Sequence, residues 1–416
     1  MGEHEIFLYA FLGFMSLRFL VERTLAVLNA SYVASRRGQI PDTLKDVISA
    51  ENYERSIDYA LARTRFGHVA ALWDVGITLL FVFSPILMGF NAVLRMFELP
   101  ELTFGVLLIL WFSIANSLMH LPLQIYSTFW LEERFGFNKT TWGTFWLDKL
   151  KGLLVSLVLG VPFLYALLAV VNSGWPLWWL WAGLFIIAFQ FLMMILFPLV
   201  IAPLFNKFTP LQEGELKSEL EALAKKCAFE TNGIFVVDGS RRSAHSNAYF
   251  TGIGKSKRIV LFDTLIQQLN VPELAAVLAH EIGHYKRKHI VKMLILSSVL
   301  TIGGVYLLSL MIDWHPLFQA FSIAMPDTAM GLILFSIVIG DFTFWVGPLF
   351  HKLSRKHEYE ADAYAREAVG DHTPLEGALL KLFEKNLATL TPHPAYSAWH
   401  YSHPTLLERL KALRGL

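Results

Sequence analysis

The sequence predicts an all-α polytopic membrane protein with seven transmembrane helices and a small α+β domain on the cytoplasmic side. Three observations predict it. Hydrophobic residues make up 55% of the 416 and charged residues only 17%, whereas a soluble domain carries about 25% charge. Seven apolar runs reach the about 20 residues that a membrane span requires; they lie at 5–29, 69–94, 103–124, 152–172, 176–200, 289–312 and 329–350. The remaining polar mass falls in two pieces, 201–288 and 351–416.

The first run carries Arg18, Glu22 and Arg23 and no small-residue cleavage site, so it is expected to be a retained helix rather than a signal peptide. Orientation follows from the short loops. Arg36, Arg37, Lys45, Arg55, Arg63 and Arg65 follow run one, and Arg134, Lys139, Lys149 and Lys151 follow run three. The loops after runs four and six hold no Lys or Arg, and the loop after run two holds only Arg95. Positive loops stay in the cytoplasm. The N-terminus is therefore expected outside and the C-terminus inside. Four segments result: 1–200 with five spans, 201–288 as a cytoplasmic domain, 289–350 with two more spans, and 351–416 as a cytoplasmic tail. Both polar pieces then share one side and can build one site. The net charge of +1 suggests no nucleic-acid partner. Cys227 is the only cysteine, which excludes an intramolecular disulfide framework and a cysteine-based structural zinc site.

Within 201–288, residues 214–230 show helical spacing, 233–240 read as a short strand, and 246–266 read as a hairpin turning at Gly252 and Gly254. Pro272 then opens a helix predicted to run to His289, with Glu273 at its positive end. On it His280 and His284 stand four apart, so both imidazoles leave the same face, the spacing two nitrogen ligands of one metal need. Glu281 is one step on, placed to reach a metal-bound water. The pattern is HExxH, in which the Glu serves as general base. Gly283 would leave room beside the metal.

HExxH alone is short and unspecific. A catalytic zinc also needs a third protein ligand and an open position. The tail supplies a candidate in HKLSRKHEYEADAYAREAVG, a continuation of helix seven. Glu358 and Asp362 are i and i+4 on one face, while Glu360 points about 200° away. Glu358 would bind the metal, and Asp362 would accept the N–H of a ligand histidine and fix its tautomer.

HEIGH, SRKHEYEAD and YSHPTLLERLKAL, with EERFGFNKTT, IAPLFNKFTPL and SNAYFTG, resemble the CAAX prenyl protease 1 family across essentially the whole chain. These are gluzincin-type integral-membrane zinc proteases. The resemblance implies seven helices around a large intramembrane chamber, closed on the cytoplasmic side by a zinc-protease domain. It implies one zinc ion per chain on His280, His284 and Glu358, with Glu281 as base. It implies that Asn247 belongs to a strand that pairs with the substrate backbone, and that His403 supports the substrate or the oxyanion. A substrate would add as a strand to the edge holding Asn247 and Ala248. Expected partners are peptide or protein substrates, prenylated or not, and the lipid bilayer; the chain is expected to be a monomer. Only QQLNVPEL separates VLFDTLI from the metal helix, and no dilysine signal ends the chain. A compact bacterial-type member of a cell (inner) membrane is expected, with the endoplasmic reticulum as alternative.

Two rival readings are a quality-control protease without prenyl requirement and a transporter or receptor with structural zinc. Structural zinc normally has four protein ligands, and three plus a base are found here. His245, His351, His357, His393 and His400 read as surface or structural. His289 should point away from the ligand face, being five residues after His284 on the same helix. Asp74 and Asp341 lie inside apolar runs, where a charge needs a partner or water.

Overall fold

A computed structural model describes every residue except 46, 252–256, 324–325 and 416. Among the described residues, seven helices are long and apolar enough to cross a membrane: Glu3–Ser35, Ala50–Phe83, Glu101–Glu132, Trp142–Val171, Trp178–Phe205, His289–Met311 and Thr328–Val369. Most overrun the bilayer, so Arg55, Arg63, Arg65, Lys149 and Lys151 lie on helix ends rather than in loops. The second run divides. Span two ends at Phe83, and Pro85 opens a separate helix, Pro85–Arg95. Ser84 caps the new helix by accepting the Ile86 N–H at 3.3 Å, and proline cannot donate to the turn before it.

The spans close a ring. Span one packs on two, two on three, three on four, four on five, five on six, six on seven, and seven again on one. One end of the ring is plugged by Phe11, Leu87, Phe104, Leu108, Phe318, Ile333 and Leu334 in a single apolar core. Elsewhere the helices bury little. Only 6% of the apolar stretch of span one, 6% of span six and none of span five is buried. A solid bundle would bury an apolar stripe on every helix, so the ring encloses a chamber. Between spans one, two and seven, Arg18, Glu22, Asp74 and Asp341 line a cavity of about 220 Å³. Asp341 meets Arg18 at 3.0 Å and Asp74 meets His120 at 3.4 Å, so both acids have a partner.

The polar pieces form one unit at the other end of the ring. Leu220, Leu223, Ile259 and Leu261 of the first piece share a core with Leu375, Leu379, Leu406 and Leu410 of the second, and with Tyr53 and Ile57 of span two. A four-stranded sheet has the order β1-β2-β4-β3, with β1 Phe208–Pro210, β2 Ile234–Val237, β3 Ala248–Thr251 and β4 Arg258–Phe262. β3 pairs antiparallel with β4 and forms one edge. The hairpin turn expected at Gly252 and Gly254 lies outside the described residues. The segment after β4 is not strand but a short helix, Asp263–Gln268. Asp263 starts it by accepting the N–H groups of Thr264 and Ser240 at 2.8 and 2.9 Å.

Candidate active site

The helix Val271–Lys286 is fixed at its start. Asn270 accepts the Glu273 N–H at 3.0 Å, and Glu273 accepts the Asn270 N–H at 2.9 Å, a reciprocal capping box. Ala276, Ala279 and Ile282 are fully buried along one side. The helix crosses span seven at Gly283. A Cβ at Gly283 would stand 3.1 Å from the Ala361 backbone and from Tyr364 Cβ. The missing side chain makes room for span seven, not for the metal. Gly283→Ala is expected to destabilise by ~1–3 kcal/mol through overpacking and to weaken metal retention. Thermal unfolding and bound-metal analysis of the purified variant check both.

That close crossing brings the two motifs together. Candidate ligand atoms of His280, His284 and Glu358 all lie within 4.8 Å of one another. The two Nε2 atoms are 3.1 Å apart, and each faces a Glu358 oxygen, at 3.5 Å from His280 and 3.3 Å from His284. Glu358 Oε2 is buried and, among the described residues, accepts no hydrogen bond. Its charged neighbour, Arg409 Nη1 at 3.6 Å, is too far to hydrogen-bond it, and a cation held among the three converging ligand atoms would satisfy it, so the residues present fit a metal cation. Charge agrees. Glu281, Glu358 and Asp362 stand against the single guanidinium of Arg409, which leaves two formal negative charges for a divalent ion. His280 reports the same field. Burial opposes its charged form, yet the hydrogen bonds it donates to Asp362 and Glu358 carry its pKa up to about 9.

The other ring nitrogens are held from behind. His280 Nδ1 lies 2.7 Å from Asp362 Oδ1, and Asp362 is gripped by Arg409 through two bonds of 2.8 and 2.5 Å. His289 Nδ1 lies 3.0 Å from His284 Nδ1, and its Nε2 lies 2.9 Å from Glu360 Oε2. The pattern is satisfied when His289 donates from Nε2 to Glu360 and accepts at Nδ1 from His284, which frees His284 Nε2 as a lone pair. The expectation that His289 points away from the ligand face is therefore wrong. It assumed one unbroken helix. The chain instead breaks after Lys286, Lys288 takes a left-handed φ of 58°, and a new helix begins at His289. The turn swings the ring back behind His284, where it stacks on buried His357 at 4.0 Å.

Glu281 is half-buried beside the pair, and burial pushes its carboxyl above the ordinary value, the direction a general base needs. His403 Nε2 is 3.4 Å from Glu358 Oε1, and its Nδ1 is 3.0 Å from Ser402 Oγ. Burial holds it below the ordinary histidine value, against the pull of Glu358. Asn247 and Ala248 open β3, whose strand packs against the helix Val271–Lys286. Asn247 uses its carbonyl to accept the Phe262 N–H at 3.1 Å.

Sequence reasoning passed over Arg409. Its signal was present: in Leu406–Arg414 the buried residues are Leu406, Arg409, Leu410 and Leu413. A charge on the apolar face of an amphipathic helix demands a buried partner, and here the partner is Asp362.

Two family descriptions divide the chain. "CAAX prenyl protease N-terminal, five membrane helices" matches residues 30–207, and "Peptidase family M48" matches residues 210–416. A CAAX prenyl protease 1 homolog of Arabidopsis thaliana is 39% identical over 98% of both chains. The chain belongs to the CAAX prenyl protease family. A second family member, CAAX prenyl protease 1 of Saccharomyces cerevisiae, is 38% identical over 92% of this chain and 91% of its own. The crystal structure of S. mikatae Ste24p matches with a TM-score of 0.90 at 35% identity, covering 99% of each chain. The family is one of membrane metalloendopeptidases, which agrees with the ring of spans and the His-His-Glu cluster. Its plant member has almost the same extent as this chain, so compactness does not single out a bacterial source.

Proposed function

We propose that this membrane metalloendopeptidase removes the C-terminal tripeptide of prenylated substrates, using one zinc ion held by His280, His284 and Glu358. The observation that carries the metal assignment is the convergence of ligand atoms from His280, His284 and Glu358 within 4.8 Å, with each Glu358 oxygen facing one imidazole nitrogen. The substrate class rests on the likeness to CAAX prenyl proteases over nearly the whole chain.

When bound, zinc supplies a Lewis acid that polarises the scissile carbonyl and lowers the pKa of water. Glu281 takes the proton of the attacking water and passes it to the leaving amine. His403, standing beside Glu358, donates an N–H to the developing oxyanion. The edge of β3 beginning at Asn247 and Ala248 accepts the substrate as an added strand, because backbone pairing needs no particular side chains. Asp362, Arg409, His289 and Glu360 hold the ligands in orientation. The basic residues at the helix ends nearest the site support a cytoplasmic face, in either a bacterial inner membrane or the endoplasmic reticulum.

The test uses purified protein in detergent, a farnesylated CAAX peptide and its unprenylated twin, with and without a metal chelator. Mass spectrometry should show chelator-sensitive loss of the last three residues, faster from the farnesylated peptide. Failure to cut either peptide while metal is bound would refute the reading, and cleavage blind to the farnesyl group would favour a general protease of membrane proteins.

A further inference from the structure

Beside the active site lies a cavity of about 490 Å³ lined by Tyr59, Arg63, His245, Asn386, Tyr401 and His403, among others. That is within the range of small-ligand pockets, ~300–1,000 Å³. It opens onto the catalytic centre through His403, which stands 3.4 Å from Glu358. Arg63 is the cavity's cation. Among the described residues no carboxylate oxygen comes within ion-pair distance of it; Glu132 feels its charge from farther off, and its guanidinium lies 5.5 Å over the Tyr59 ring. Glu132 spends its hydrogen bonds elsewhere, accepting from Tyr59 at 2.8 Å and lying 3.5 Å from His245, and Arg63 acts on it only through its field. The cavity thus offers a guanidinium with no direct ion pair, a side-chain amide and hydroxyl groups at the end of a path that starts at the metal ligands.

A second cavity, of about 830 Å³, lies at the other end of β3. Phe250, Tyr285, Val291, Leu294 and Ile295 line it, and it is mostly apolar. His245, just before β3, faces the cationic cavity, while Phe250, within β3, faces the apolar one. A chain lying along β3 therefore meets opposite chemistries at its two ends.

We propose that Arg63 receives the free C-terminal carboxylate of the substrate, and that the cavity between Arg63 and His403 holds the residues to be removed. The proposal rests on the endopeptidase reading above and adds to it how the position of the cut is measured. A guanidinium binds a carboxylate through two parallel N–H···O bonds, which fix distance as well as charge. With the carboxylate held at Arg63 and the scissile bond at the metal, the number of residues between them is set by the length of the cavity. The substrate then runs antiparallel to β3, and its upstream part is directed toward the apolar cavity.

The test compares two farnesylated peptides that differ only in ending as a free acid or as an amide, each cut by wild type, Arg63→Gln and Arg63→Lys. Wild type should cleave the acid with kcat/KM ~10–100-fold above the amide, the worth of a charge-assisted contact, mainly through KM. In Arg63→Gln the acid-to-amide ratio should collapse to about 1, and Arg63→Lys should restore part of it. Equal cleavage of acid and amide by wild type overturns the proposal. So does an Arg63→Gln protein that slows both while keeping the wild-type ratio, since that is a structural role. If wild type cuts neither peptide, the endopeptidase reading itself falls, and the carboxylate site with it; chelator-sensitive cleavage of the amide keeps that reading alive whatever the ratio.

Discussion

Replacing Glu281 with glutamine is expected to lower peptide cleavage by about 10²–10⁴-fold, the contribution of a general acid–base group, while the bound metal stays. The two effects separate because Glu281 is not among the three side chains whose donor atoms converge. Glutamine keeps the shape and cannot take a proton. The acid limb of the wild-type rate profile should reflect the same group. Burial raises the Glu281 pKa, and the base works only when ionised, so activity should fall as pH drops through a value above the ordinary carboxylate range. Metal content by mass spectrometry beside single-turnover rates decides the case. A Glu281→Gln protein that cleaves at the normal rate would exclude Glu281 as the base; one that loses its metal would make it a ligand or its support.

Replacing Arg409 with leucine should have the largest effect on stability. Arg409 is 7% exposed and Asp362 2% exposed, and they share two hydrogen bonds. Removing one partner of a buried pair leaves the other charge unmatched and costs about 3–5 kcal/mol. Thermal unfolding in detergent should show this as a clear fall in Tm. The double variant Arg409→Leu with Asp362→Leu offers a sharper reading. Replacing both charges by apolar groups can be close to neutral, so stability should largely return. Metal affinity should not. His280 Nδ1 would have lost the acceptor that orients it, and such losses weaken metal sites by about 10–100-fold. If both variants keep wild-type metal affinity, Asp362 does not orient His280.

The spans were legible because length and apolar composition decide them with little help from neighbours. The i, i+4 pairs His280/His284 and Glu358/Asp362 were legible because helical period is a local property. Where the reading failed, local rules had been extended past a break. His289 was counted along a helix that stops at Lys286, and the 69–94 run was counted as one span across Ser84–Pro85. Gly283 was given a role beside the metal when the helix it touches belongs to the other half of the chain.

By itself the sequence determined the seven spans and the pairing of His280 with His284, since each follows from composition or from spacing within one helix. Only the tertiary structure decided how those groups meet. The ring closure that hollows out a chamber, the approach of Ala361 to Gly283, the return of His289 behind His284, and the bond from Arg409 to Asp362 all join residues distant in the chain. Such contacts depend on packing between elements, and no local period or propensity encodes them.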